Sequence, residues 1–127
     1  MKPLTKKRPL DTIELNRMMR DDKHFKGTKA LNLLTSFKPL FLYEPLKLIV
    51  NLQTDSYPGN HWIAILRKRS GVATYFDSLG KYPPTEIANW LHKNSTAWNY
   101  TKTKLQKLND LSSCGYLCVN FLKKNNV

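Results

Sequence analysis

His61-Trp62-Ile63-Ala64-Ile65-Leu66-Arg67-Lys68-Arg69-Ser70-Gly71-Val72-Ala73-Thr74-Tyr75-Phe76-Asp77 reads as two strands joined by a basic turn that ends in glycine. The run 62–66 is apolar at every position, the pattern of a central strand covered on both faces. Residues 72–76, β-branched and aromatic, return as its antiparallel partner. Folding the chain about Arg69 sets residue 61 opposite residue 77. Directly opposed residues carry their Cβ atoms about 4.5–5.5 Å apart on one face, so His61 and Asp77 are expected to meet as imidazole and carboxylate.

Upstream of the hairpin, residues 46–52 have the length and β-branched centre of another buried strand, and turn-rich residues 54–59 follow it. Pro39 and Pro45 bound a connector too broken for a long helix, and residues 21–27 read as polar and turn-like. Pro9-Leu10-Asp11-Thr12 opens a helix to about Met19, with Asp11 as its cap and Ile13, Leu15, Met18 and Met19 as an imperfect apolar stripe. This basic extension, residues 1–24, is expected to pack outside the core, residues 25–122.

Downstream, Pro83-Pro84-Thr85-Glu86 begins a helix whose stripe is Ile87, Trp90 and Leu91 and whose end is Asn94-Ser95. Residues 98–101 and those that follow them are expected to form a further strand. Ser112-Ser113 then precedes a helix over residues 114–124, with Leu117, Phe121 and Leu122 on one face and Lys123-Lys124 at the end the macrodipole favours. The order of elements gives an α+β chain without repeats or low-complexity segments.

A chain of 127 residues is sized for one domain, and none of its apolar runs approaches the roughly 20 residues that span a bilayer. The basic start is followed by acids and polar residues in place of an apolar signal core, which gives the expectation of a protein that is not secreted. A net charge of +12, from 21 basic and 9 acidic side chains, suits either a polyanionic partner or a solubilising surface. Cys114 and Cys118 sit at i and i+4 of one helix, where Cβ atoms lie about 5–6 Å apart against the ~3.8 Å of a disulfide, so free thiols are expected. His24, His61 and His92 stand at no ligand spacing from these cysteines, and no metal is expected.

A histidine, an acid and a cysteine in chain order can supply a base, its orienter and a thiol nucleophile. Cys114 falls in the first turn of its helix, and a helix N-terminus beside an imidazolium lowers a thiol pKa from about 8.5 toward about 3.5–7.5. Gly115 lets a substrate backbone approach, and the Cys114 amide can donate to an oxyanion. Each residue also has a bland reading: a buried small thiol, a structural histidine, and a turn at Asp77-Ser78-Leu79-Gly80.

Three segments carry a resemblance: Pro58-Gly59-Asn60-His61-Trp62-Ile63-Ala64, Tyr75-Phe76-Asp77-Ser78-Leu79-Gly80, and Ser113-Cys114-Gly115-Tyr116-Leu117-Cys118-Val119-Asn120-Phe121-Leu122. Together they resemble the adenain-like (adenovirus-type) cysteine endopeptidases, in the clan of the ubiquitin-like-protein-specific proteases. Phe25-Lys26-Gly27 and Ile49-Val50-Asn51 are similar to the upstream part of the family, so the likeness runs over residues 25–122. It implies a mixed central sheet with the nucleophile at the N-terminus of a helix packed on it.

The implied roles are His61 as base, Asp77 as its orienter, Cys114 as nucleophile, and Trp62 as a wall of the channel that admits substrate glycines. Gln106 is the implied oxyanion donor with Asn109 as fallback, and Cys118 is read as packing. The implied activity is the processing of viral capsid and other precursor proteins at glycine-containing motifs during virion maturation. It implies a monomer acting in the virion and the infected cell, nucleus or cytoplasm, with no cofactor and no membrane. DNA, held through phosphate contacts, or an activating peptide is implied as stimulator. Such sequences also occur in virophages and virus-derived mobile elements. The competing functions are a protease acting on ubiquitin-like modifiers of host proteins and a non-enzymatic, basic nucleic-acid-binding protein.

Overall fold

Among the described residues, the run that is apolar at every position becomes the middle strand of a five-stranded sheet. The computed structural model describes residues 10–39, 41–52, 61–105, 113–125 and 127. In chain order the elements are α1 (Thr12–Met18), β1 (Phe25–Ala30), α2 (Leu31–Leu34), β2 (Leu46–Asn51), β3 (Trp62–Arg67), β4 (Val72–Phe76), α3 (Thr85–Asn94), β5 (Ala97–Tyr100) and α4 (Cys114–Lys124). The strands lie side by side in sequence order. β2, β3 and β4 are mutually antiparallel, whereas β1 runs parallel to β2 and β5 parallel to β4, so the sheet is mixed as expected.

Period-two alternation sorts the strand side chains onto two faces, each covered by helices. Leu48, Val50, Ile63, Ile65, Ala73 and Tyr75 face Leu34 of α2 and Ile87, Trp90 and Leu91 of α3. Ile49, Trp62, Ala64, Leu66 and Phe76 face α4 and α1 through Cys114, Cys118, Val119, Leu122, Leu15 and Met19. All six residues of β3 are buried, which is the physical reason for its unbroken apolar run.

Four expectations change. The helix of the N-terminal extension lies within the core: Leu15 is fully buried and Met19 nearly so, in the same cluster as Trp62 and Cys114. Burying such side chains contributes about 1.5–3 kcal/mol each, too much for a loosely attached arm. Residues 25–30, part of which read as a turn, form edge strand β1, whose half-buried, lysine-containing sequence lacks the apolar alternation that signals a strand. On α4 the buried face passes through Cys114, Cys118 and Leu122 with Gly115 and Val119, while Leu117 and Phe121 flank it. Phe121 stacks on Phe76 of β4, with ring centroids 4.6 Å apart.

The hairpin is also centred one residue later than Arg69. Its register pairs Ala64 with Phe76 and Arg67 with Ala73, about Ser70, and Gly71 takes φ +89° in the turn. The pairing shifts by two positions, so face parity is preserved and His61 and Asp77 become diagonal instead of directly opposed.

At the opposite end of β3 from His61, the Arg67 guanidinium is 1% exposed. It donates to the carbonyls of Phe41 (2.6 Å), Glu44 (3.0 and 3.2 Å) and Asn94 (2.8 Å), tying the connector before β2 to the end of α3.

Candidate active site

β2, β3 and β4 alternate in direction, so the end of β2, the start of β3 and the end of β4 fall at one edge of the sheet. His61 immediately precedes β3 and Asp77 immediately follows β4. The N-terminus of α4 reaches the same place because its Cys114–Leu122 face lies against β3. Three residues far apart in sequence therefore meet where the ladder stops.

Asp77 is held by a local turn as well as by its partner. Gly80 N–H donates to the Asp77 carbonyl at 2.7 Å, and Leu79 N–H donates to Asp77 Oδ1 at 2.8 Å, an Asx turn. Gly80 takes φ +72°, and a Cβ there would stand 2.6 Å from the Lys102 carbonyl oxygen, so the turn is pressed against the chain that leaves β5. Leu105 N–H also donates to the Ser78 carbonyl, at 2.7 Å. Residues 77–80 thus form the turn, and that turn directs the Asp77 carboxylate toward His61.

The same Oδ1 stands 2.8 Å from His61 Nε2, with both side chains almost wholly buried. Burial opposes charge on the imidazole, but the hydrogen bonds to Asp77 and then to Cys114, with the attraction of both groups, push the His61 pKa up to about 9. At neutral pH the ring is an imidazolium that donates from Nε2 to Asp77. Nδ1 is the nitrogen left for the Cys114 thiol.

Cys114, 1% exposed, is the first residue of α4 and also accepts a hydrogen bond from Trp62 N–H at 3.3 Å. Ser113 occupies the N-cap without a side-chain capping bond. Gly115 fits between the chain's own groups: a Cβ there would lie 3.2 Å from Leu10 Cβ and 3.3 Å from Trp62 Cδ1. Trp62 is 2% exposed, and its indole N–H donates to the Leu10 carbonyl at 2.9 Å. Beside it opens a cleft of about 250 Å³ lined by Thr12, Thr28, Ala30, Leu33 and Asn51.

The structure thus brings together His61, Asp77, Cys114, Trp62 and Gly115. Gln106 and Asn109 lie outside the described residues. Cys114 and Cys118 are not disulfide-bonded, and among the described residues no group of three or more His, Cys, Asp or Glu could hold a metal ion. Sequence reasoning missed Leu10, whose carbonyl anchors the indole, and the polar role of Cys118, whose thiol donates to the Trp62 carbonyl at 3.3 Å. The i, i+4 spacing of the cysteines was the available signal for the second.

The fold has counterparts among solved structures. The crystal structure of ASFV pS273R protease aligns with a TM-score of 0.60 at 18% identity, over 94% of this chain and 62% of that one. Its selenomethionine form aligns with a TM-score of 0.65 at 16% identity, over 91% of this chain and 57% of that one. The fold is that of the ASFV pS273R protease. The chain spans about three fifths of the length of these neighbours. No protein-family model matches it, and no curated sequence is significantly similar to it. Among the described residues, no helix is long and apolar enough to cross a membrane.

Proposed function

We propose that this chain is a viral cysteine endopeptidase that cleaves after glycine-containing motifs in structural precursor proteins during virion maturation. The observation that carries the reading is the buried array of Asp77 Oδ1, the His61 imidazole and the Cys114 sulfur at the first turn of α4, in a fold shared with a viral protease. The cleft beside Trp62 is a place for the substrate's residues before the cut.

In this mechanism the Cys114 thiolate forms a C–S bond to the scissile carbonyl carbon, and the oxygen takes up the negative charge. Collapse of that intermediate breaks the C–N bond while the His61 imidazolium gives its proton to the departing amine. A water molecule then loses a proton to His61 and attacks the thioester, which releases the acid product and returns the sulfur to its resting state. Asp77 keeps the ring oriented throughout and stabilises its charge whenever it carries the proton. The Cys114 amide and Gln106, or Asn109 in its place, serve the oxyanion. Exposed lysines, among them Lys102 and Lys104 beyond β5, suit phosphate contacts with DNA as a stimulator.

The test is incubation of the wild type and Cys114→Ala with the capsid proteins encoded beside this chain, with the cut sites read by mass spectrometry. Cuts after glycine made by the wild type alone support the proposal. Identical cutting by both proteins refutes it, and rapid labelling of Cys114 by a ubiquitin vinyl sulfone with intact capsid proteins moves the substrate to host conjugates.

A further inference from the structure

Continued past its last pair, Ala64 with Phe76, the β3–β4 register would bring Ser78 opposite Trp62. The chain turns away at Asp77 instead. Leu52 N–H donates to the His61 carbonyl at 2.8 Å, so that carbonyl faces β2, and alternation directs both the N–H and the C=O of Trp62 toward the side β4 has vacated. Buried backbone groups need partners.

Two sulfurs one helical turn apart supply them. Trp62 N–H donates to Cys114 Sγ and the Cys118 thiol donates to the Trp62 carbonyl, each at 3.3 Å. Cys118 is fully buried, and its burial first, with Cys114 and Asp77 adding, pushes the thiol well above its ordinary range. It therefore keeps its proton and remains a donor. The indole N–H on Leu10 makes a third attachment, so Trp62 is gripped at both backbone groups and at its ring.

We infer that Cys118 is a positioning residue for the nucleophile: by holding the Trp62 carbonyl it fixes the Trp62 N–H against the Cys114 sulfur, keeping that sulfur where His61 can serve it. The inference rests on the assignment of Cys114 as nucleophile. It goes beyond packing because it requires a donor at position 118. Valine fills that space without donating, whereas serine donates while filling it less well.

The measurement is the rate at which iodoacetamide alkylates Cys114 in the full chain as a function of pH, with the modified residue located by mass spectrometry and thermal unfolding followed in parallel. Cys118→Val is expected to slow alkylation near neutral pH about five- to tenfold and to move the profile to higher pH, the effect of one lost hydrogen bond. Cys118→Ser should stay within about twofold of wild type. Cys118→Ala replaces the valine variant if that one fails to fold, with the same expectation. A wild-type rate and profile in the valine or alanine variant, or a loss in the serine variant as large as in valine, overturns the inference. If the label in the wild type lands elsewhere than Cys114, the nucleophile assignment falls and takes this inference with it; a labelled Cys114 that is indifferent to position 118 sinks the inference alone.

Discussion

Replacing Asp77 by asparagine should remove a pH-dependent contribution to stability. The His61 pKa rises from 6.5 to about 9 in the folded protein, and each unit corresponds to about 1.4 kcal/mol, which gives about 3 kcal/mol for the whole displacement. Since the folded value lies above the unfolded one, this stability is fully present below pH 6.5 and is lost as the pH rises through about 9. Asparagine keeps the shape but removes the negative charge that holds the proton on the ring, and burial then works unopposed by that carboxylate. Urea unfolding of both proteins at pH 6 and pH 10 isolates the effect, because the two proteins differ only at this position. The wild type should lead Asp77→Asn by about 3 kcal/mol at the lower pH and by about 1 kcal/mol or less at the higher. An equal lead at both pH values would show that His61 and Asp77 are not linked as charge partners.

Two further changes probe the frame around the site. Arg67→Lys replaces a fork reaching three carbonyl groups with a single ammonium, so urea unfolding should show a loss of about 2–4 kcal/mol, with Cys114 alkylation in the folded protein unchanged; a loss below about 1 kcal/mol contradicts the clamp. Gly80→Ala imposes a side chain at φ +72° against the Lys102 carbonyl; it should cost about 1–3 kcal/mol or more and slow Cys114 alkylation by misplacing Asp77, and a fully reactive, fully stable variant would show that the turn does not aim the acid.

The sequence disclosed most where one physical cause dominated. An unbroken apolar run has few places to go except the middle of a covered sheet, and β3 went there. Pro84 and the Ile87-Trp90-Leu91 stripe determined α3 in the same way. His61 and Asp77 met despite a misplaced hairpin centre, because a two-position shift conserves the face. The edge strand β1 stayed hidden because its residues are selected by an exposed edge and a parallel neighbour, which impose no alternation. The place of α1 in the core was equally hidden, since a seven-residue helix with one buried leucine looks peripheral until its partner surface is known. Least legible was the grip on Trp62, signalled only by the i, i+4 spacing of the cysteines, because hydrogen bonds between sulfur and backbone depend on where a ladder ends.

The histidine and its carboxylate lie 16 residues apart on one hairpin, whereas the sulfur that touches Trp62 comes from 52 residues further along. The two halves of the chemistry thus mature at different moments of chain growth. On the proposed mechanism, a ribosome-bound fragment that ends before α4 has a base with nothing to activate, and the thiol that follows becomes reactive only once the sheet exists to receive it. On that mechanism reactivity arrives with the closing of the 52-residue loop between Trp62 and Cys114, so a polypeptide still being made is poorly equipped to attack itself or its neighbours.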